Sequence, residues 1–253
     1  MTKKTTISPE EAARGIYIDF EGTAIDPPSF LGITWVSGGG NQRFIQIVLE
    51  KTLWPADEAK SPRVGGNCFI GEWRDLTVLR KLSEEQGRKI FAWSTHEATS
   101  LEEHVSGTDG KWFGENVINA IPIGKAWKRK HHPESVFQKD PKNPWLGKNN
   151  LSKYLKLIDY HVPKAFGPGN AAQQSKYVKK MLEKKLGDYS KLTPVAKAKW
   201  TKVLKHNWYD CDGLRMLMGH CADNAPQTYR AFKREISQTD ESAFDYFSFQ
   251  DGN

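Results

Sequence analysis

The chain has 253 residues, of which 38% are hydrophobic, 26% charged and 11% aromatic, including nine Trp. A chain of this length buries about three quarters of its unfolded surface, and the composition excludes a disordered chain, a collagen-like repeat and a fibrous coil. The net charge of +7 is unevenly placed: residues 1–124 hold 13 Lys/Arg against 17 Asp/Glu, 125–205 hold 20 against 5, and 206–253 hold 4 against 8. A basic middle third between two mildly acidic ends predicts a polyanion-binding surface on one part of the molecule and gathered carboxylates on another, although a lysine-rich solvated helix face gives the same count.

Cys68, Cys211 and Cys221 are too few and too scattered for a disulfide framework, and none has C-x-x-C spacing. A reducing compartment is the simpler expectation. The opening residues MTKKTTISPEE contain no apolar h-region, and no stretch approaches the roughly 18 to 20 apolar residues of a membrane span. The expectation is a cytoplasmic protein with no membrane partner.

After a short polar arm, Gly15–Gly22 (GIYIDFEG) alternates Ile16, Ile18 and Phe20 with Tyr17, Asp19 and Glu21, the period-2 pattern of a strand. Strand-like runs follow at Phe30–Val36 and Arg43–Glu50 across an SGGGN connection, which predicts an antiparallel three-stranded start. Leu76, Leu79 and Leu82 mark a helix over Trp73–Glu85, stopped by Gly87 before another strand in the same sheet at Lys89–Ser94. Ser100 followed by Glu103 resembles a capping box and predicts a helix starting near Thr99 or Ser100. Between Pro133 and Pro168 the density of Pro, Asn, Lys and Gly predicts loops around a short helix at Leu151–Leu157. This places a basic, substrate-facing insertion over 125–170 within a single domain over 1–253. Helices over Ala172–Leu186 and from Pro194 to about Asp223 follow, and the aromatic, acidic tail ESAFDYFSFQDGN is expected to pack on the domain.

Three pieces carry candidate chemistry. Asp19 and Glu21, two apart on a strand, project from one face and can converge on one ion, although Asp-x-Glu is also the pattern of a plain solvated face. Hard cations such as Mg²⁺ or Mn²⁺ hold paired carboxylates ionised. Glu97 falls just past a strand and before a helix, where loops position catalytic groups. His206 and Asp210 stand i and i+4 on a helix and share a face, the spacing that presents a base and a metal ligand together.

The order of these motifs resembles the ribonuclease H-like fold of the DEDD 3′ to 5′ exonuclease superfamily, and most of all its RecB-like, ribonuclease H-like branch of predicted nucleases. In that branch the second motif resembles His96-Glu97 followed by Leu101. The third resembles Tyr-Asn-x-x-Asp-Cys, against His206-Asn207-Trp208-Tyr209-Asp210-Cys211 here, and a Ser-Leu-Lys segment has a counterpart at Asn150–Lys156. The resemblance spans roughly Gly15 to Leu217. It implies an α/β fold with a mixed sheet, three antiparallel strands and then parallel ones, flanked by helices. It further implies Asp19, Glu21, Glu97 and Asp210 as metal ligands for Mg²⁺ or Mn²⁺, two ions in all, and His206 in the place of the branch's tyrosine. The His-x-x-x-Asp spacing is one residue tighter than in the histidine subclass, which leaves Tyr209 and Asp212 open as alternatives for the base. The implied activity is a metal-dependent nuclease, a 3′ to 5′ exonuclease acting on DNA or RNA. An endonuclease of the same fold and a nucleic-acid-binding module without turnover stand as alternatives.

A carboxylate cluster repels a phosphate backbone, so Lys125, Lys128, Arg129, Lys130, Lys142 and Lys148 are the candidates to hold the strand. Trp127, Trp145 and Tyr154 interleave with them and are candidates to stack bases, unless they pack in the core.

Overall fold

The computed structural model describes residues 4–22, 26–59, 67–139, 141, 147–167 and 171–222. Six strands, β1 (Ile16–Glu21), β2 (Phe30–Val36), β3 (Gln42–Val48), β4 (Asn67–Ile70), β5 (Ile90–Ala92) and β6 (Val117–Asn119), form one sheet in the order β4-β3-β2-β1-β5-β6. β1, β2 and β3 pair antiparallel, whereas β4 joins β3, β5 joins β1 and β6 joins β5 in parallel. The protein is therefore an α/β fold on a mixed sheet flanked by helices, with the expected antiparallel start. β4 and β6 are four and three residues long, too short for alternation to reveal them.

Side chains alternate across β1, and each set meets a different layer. Ile16, Ile18 and Phe20 enter one core cluster with Leu31, Ile33 and Ile47, against Leu79 and Leu82 of α2 (Thr77–Gln86), Leu101 of α3 (His96–His104) and Phe113 of α4 (Gly107–Asn116). Tyr17 points the other way, into a cluster with Trp127 of α5 (Ile121–His131), Tyr154 and Leu155 of α6 (Leu151–Leu157), and Leu214, Leu217 and Met218. The last three belong to α8 (Pro194–Cys221), which at 28 residues is about 42 Å long. The N-terminal half of α8 packs Trp200, Val203 and Leu204 with Phe30, Phe44 and Val48 and with α7 (Ala171–Lys184). One long helix thus crosses the sheet face that carries Asp19 and Glu21. Apolar contacts hold α8 down at both ends, so its middle turn is pressed onto β1.

The polar residues of β1 do not form a solvated face. Glu21 is 8% exposed and Asn207, on the facing turn of α8, is fully buried. The segment expected as an insertion is likewise anchored: Leu151, Tyr154 and Leu155 are all buried against α8.

Local boundaries differ in three places. α1 (Pro9–Arg14) occupies the expected polar arm; Ser8 and Glu11 close a reciprocal capping box around Pro9, enough to hold six residues helical. α3 begins at His96, not near Ser100, because the Ser94 hydroxyl accepts the His96 N–H at 3.1 Å, and Ser100 is buried inside the helix. The run Trp73–Glu85 divides into a 3₁₀ turn at Trp73–Leu76 and then α2, which ends at Gly87 with φ +62°. The C-terminal tail and residues 142–146, including Lys142 and Trp145, lie outside the described residues. Among the described residues no helix is long and apolar enough to cross a membrane.

Register fixes how closely α8 can approach. Asp19 pairs with Gly32, and Gly32 with Gln46, so the three form a row across the sheet. Asn207 lies over the middle of that row, where a Cβ on Gly32 would stand 2.0 Å from Asn207 Oδ1. Gly32→Ala should therefore cost about 1–3 kcal/mol by overpacking, read as a lower urea midpoint with an unchanged slope; an unaffected midpoint would show that α8 has room to move away.

Candidate active site

The site is built from three elements. β1 supplies Asp19 and Glu21, the start of α3 supplies Glu97, and the middle of α8 supplies His206, Asn207 and Asp210. Asp19, Glu21, Glu97 and Asp210 act on one another electrostatically, and His206 acts on Glu21 and Asp210. The five residues singled out as catalytic in the sequence are therefore neighbours in space.

Each carboxylate is held differently. Asp19 Oδ2 accepts a hydrogen bond from Asn207 Nδ2 at 3.0 Å, and the same amide donates to the Asp19 carbonyl at 2.9 Å. Asn207 is itself fixed by Gln46 Nε2, which donates to Asn207 Oδ1 and to the Leu204 carbonyl, each at 2.9 Å. Gln46, Asn207 and Asp19 thus form a buried relay of hydrogen bonds that sets the Asp19 rotamer. Glu97 is 6% exposed, and its Oε2 accepts from the Ser94 hydroxyl at 2.9 Å and the Ser94 N–H at 3.3 Å. Glu21 Oε1, by contrast, is buried without a hydrogen-bond partner.

His206 bridges this gap by charge. Its Nδ1 lies 2.7 Å from the Phe166 carbonyl; a carbonyl only accepts, so Nδ1 carries the proton. Nε2 then faces Glu21 Oε1 at 3.6 Å and Asp210 Oδ2 at 3.5 Å. Phe166 is held over α8 by stacking on Tyr209, with ring centroids 5.6 Å apart, and by Lys205, whose ammonium lies 5.2 Å from its ring.

Burial disfavours every charge here, and the carboxylates also repel one another. The Asp19 carboxyl is pushed well above its ordinary range by burial and then by Glu21, Asp210 and Glu97. Burial raises Glu21 to about 7, with His206 pulling down and Asp210 and Glu97 pushing up. Asp210 is raised by burial against the opposing pull of His206. For His206, burial works downward, but Asp210, Glu21 and the Phe166 carbonyl win and lift it to about 9. Cys211 is kept protonated by burial and by the neighbouring carboxylates, which removes it as a nucleophile.

Ligand atoms of Glu21, His206 and Asp210 all lie within 4.8 Å of one another. An oxygen-rich set with one imidazole and an orphaned carboxylate oxygen fits a hard or borderline divalent cation. Asp19 stands beside the set and is oriented by Asn207.

Asp212, an open alternative for the base, is fully engaged elsewhere. Its Oδ1 accepts from Gln42 at 2.7 Å and from Arg215 at 2.7 and 3.0 Å, and its Oδ2 from the Tyr160 hydroxyl at 2.7 Å. It ties α8 to β3 and carries no free oxygen toward Asp19. Tyr209, the other alternative, places its ring between Phe166, Tyr160 and Trp208.

Of the residues expected to meet nucleic acid, Lys125, Arg129, Lys130 and Lys148 are exposed, and Lys128 is half-buried with its ammonium over Phe137. Trp127 and Tyr154 are not available to stack bases: both are core residues, against α8 and against Trp93 and Phe137 respectively. Their apolar bulk, flanked by Ile123 and by Leu151 and Leu155, accounts for this. Asn207 and Gln46 were missed as site residues; Asn207 shares a helix face with Asp210 at i+3, and that spacing was the available signal.

Comparisons with protein-family models, with curated proteins and with solved structures give no match to this chain. What the site can do therefore rests on its own geometry and on the motif resemblance.

The raised groups all act in one direction. Between pH 4.5 and 7 the folded chain keeps protons on Glu21 that the unfolded chain releases, and between 6.5 and 9 it keeps the His206 proton. In chelator the thermal midpoint should fall as pH rises from about 4.5 to 9, and Glu21→Gln should flatten the lower part of that fall; a midpoint that climbs over this range would contradict the site's electrostatics.

Proposed function

We propose that the protein is a metal-dependent nuclease of the ribonuclease H-like DEDD type, working as a 3′ to 5′ exonuclease. The observation that carries this reading is the buried set of mutually repelling carboxylates with Glu21 Oε1 left unpartnered beside His206 and Asp210. A fold does not sequester negative charge in this way without a gain elsewhere, and perturbed titration of a convergent cluster marks functional sites. The sheet order and the motif order agree with the family that the sequence resembles.

Asp19, Glu21, Asp210 and Glu97 are the residues that would hold Mg²⁺ or Mn²⁺, in two sites by the resemblance. Such ions, when bound, supply positive charge for the phosphoryl oxygens and an activated water near neutral pH. The chain's own contributions are separable. Asn207 fixes Asp19, and Ser94 fixes Glu97, so the carboxylates are oriented before any ligand arrives. His206 holds a proton at Nδ1 toward Phe166 and presents Nε2 to Glu21 and Asp210. Any cation that neutralises those two carboxylates removes the charge that lifts His206, and frees Nε2 to accept a proton from the attacking water. In the hydrolysis, water oxygen bonds to phosphorus, the bond from phosphorus to the 3′ oxygen breaks, and a proton passes to that leaving oxygen.

The decisive test is a time course with 5′-labelled single-stranded DNA and RNA, with Mg²⁺, with Mn²⁺ or with chelator. A ladder shortening from the 3′ end, dependent on metal and reduced at least about 100-fold in Asp19→Ala and Asp210→Ala, is the expected result. Internal cuts would make the protein an endonuclease of the same fold. Absence of cleavage, with Mn²⁺ binding by calorimetry unchanged in both variants, would overturn the reading.

A further inference from the structure

A second concave site lies on the α5 side of the fold. It is a cavity of about 640 Å³ between α5 and the segment 133–149, and its lining includes Lys125, Lys128, Arg129 and Lys148 but no Asp or Glu. Lys125, Lys128 and Arg129 stand at i, i+3 and i+4, so one stripe of α5 faces the cavity while Ile123 and Trp127 on another face the core. Among the described residues no carboxylate forms an ion pair with Lys125, Arg129 or Lys148, so these charges are available to a ligand.

The cavity is built on fixed packing. Phe137 lies edge-on to Tyr154, with ring centroids 4.8 Å apart, and carries the Lys128 ammonium 4.9 Å from its centroid. The Tyr154 hydroxyl donates to Asn149 Oδ1 at 3.0 Å, and Lys153 reaches back to the carbonyls of Gln138 and Lys148, which ties both walls to α6. Trp93 Nε1 donates to the Asn149 carbonyl at 2.9 Å. Trp93 directly follows β5 and precedes Ser94, the residue that orients Glu97. Gly124 permits this junction, since a Cβ there would stand 3.0 Å from the Trp93 ring. One short stretch of chain, Trp93–Glu97, therefore joins the cationic cavity to the carboxylate site.

We propose that this cavity anchors a phosphorylated nucleotide of the substrate strand, its phosphate on Lys125, Arg129 and Lys148 and its base beside Phe137. The proposal rests on the nuclease reading, because it supplies what a carboxylate cluster lacks: a cationic hold on the phosphate backbone away from the scissile bond. A cavity of this volume accommodates one nucleotide, and cations interleaved with an aromatic ring suit a phosphate and a base together.

The test uses the full chain in chelator, so that binding is read without cleavage. Fluorescence anisotropy would follow a labelled single-stranded 12-mer, as DNA and as RNA, with wild type, with Lys125→Glu/Arg129→Glu, and with Lys176→Glu/Lys180→Glu on the exposed face of α7 as a control of equal charge change. All four positions are exposed, so the folds should survive, as circular dichroism would verify. The expected result is a loss of about tenfold or more in the cavity variant, with a salt dependence shallower by about 1.4 for two lost phosphate contacts, and less than about twofold in the control. Equal losses in both variants, or none in either, would overturn the proposal, as would adenosine monophosphate binding as tightly as the 12-mer, which would assign the cavity to free nucleotides. Unchanged binding in the cavity variant alongside metal-dependent cleavage would sink the anchor and leave the nuclease standing; a cavity-specific loss without any cleavage by wild type would do the reverse.

Discussion

The placement of α8 across β1 is the constraint on which the rest of the structure depends. Apolar side chains at both ends of the helix, Trp200 and Leu204 on one side and Leu214 and Leu217 on the other, commit its middle turn to the sheet. That middle turn carries His206, Asn207 and Asp210, and the strand beneath carries Asp19 and Glu21. Hydrophobic burial at the ends therefore offsets an unfavourable electrostatic arrangement at the centre. Without the flanking core, like charges this close would separate or protonate.

Glycine and amide chemistry make the close approach possible. Gly32 leaves room on β2 for the Asn207 side chain, and Gln46, one strand further out, donates to the same amide oxygen. The row Asp19, Gly32, Gln46 is a property of sheet register, and Asn207 reads all three positions at once. Register, helix placement and carboxylate orientation are thus coupled: a slip of one residue on β1 would turn Asp19 and Glu21 into the opposite layer, among Leu79, Leu82 and Phe113.

What was legible in the sequence follows from how local each signal is. The alternation Ile16, Ile18, Phe20 against Tyr17, Asp19, Glu21 is local and strong, and β1, β2 and β3 fall where it places them. The helical spacing of His206 and Asp210 is local too, and both residues reach the site. Asn207 was legible as a motif letter without a role, because its partners Asp19 and Gln46 are 188 and 161 residues away. Gln46 stood in an ordinary strand pattern, with nothing nearby to distinguish it. Trp127 and Tyr154 went the other way: interleaved lysines suggested stacking platforms, but each ring is the large apolar face of its own short helix and is drawn into the core beneath α8. The Ser100 signal failed for a related reason, since Ser94 already caps the turn and burial of Ser100 follows from Leu101 beside it.

Two aspartates on one helix separate structural from chemical roles within this fold. Asp212 is buried, yet each of its oxygens is matched: Gln42 and Arg215 on one, Tyr160 on the other. An anion so compensated contributes to holding α8 on β3 and has nothing left to offer a ligand. Asp210, two residues earlier, meets only the His206 imidazole at 3.5 Å and stands among Asp19 and Glu21, whose charges oppose its own. Both residues sit in the same helix, in the same environment of apolar neighbours, so burial alone does not distinguish them. The distinction is compensation: the chain supplies a guanidinium, an amide and a phenol to Asp212, but for four converging carboxylates it supplies one imidazole, leaving an excess of negative charge that an external cation is suited to balance. The cations the chain does possess nearby, on α5, point into a different cavity and neutralise none of it, so the two charge excesses remain separate and each is left open to a ligand of opposite sign.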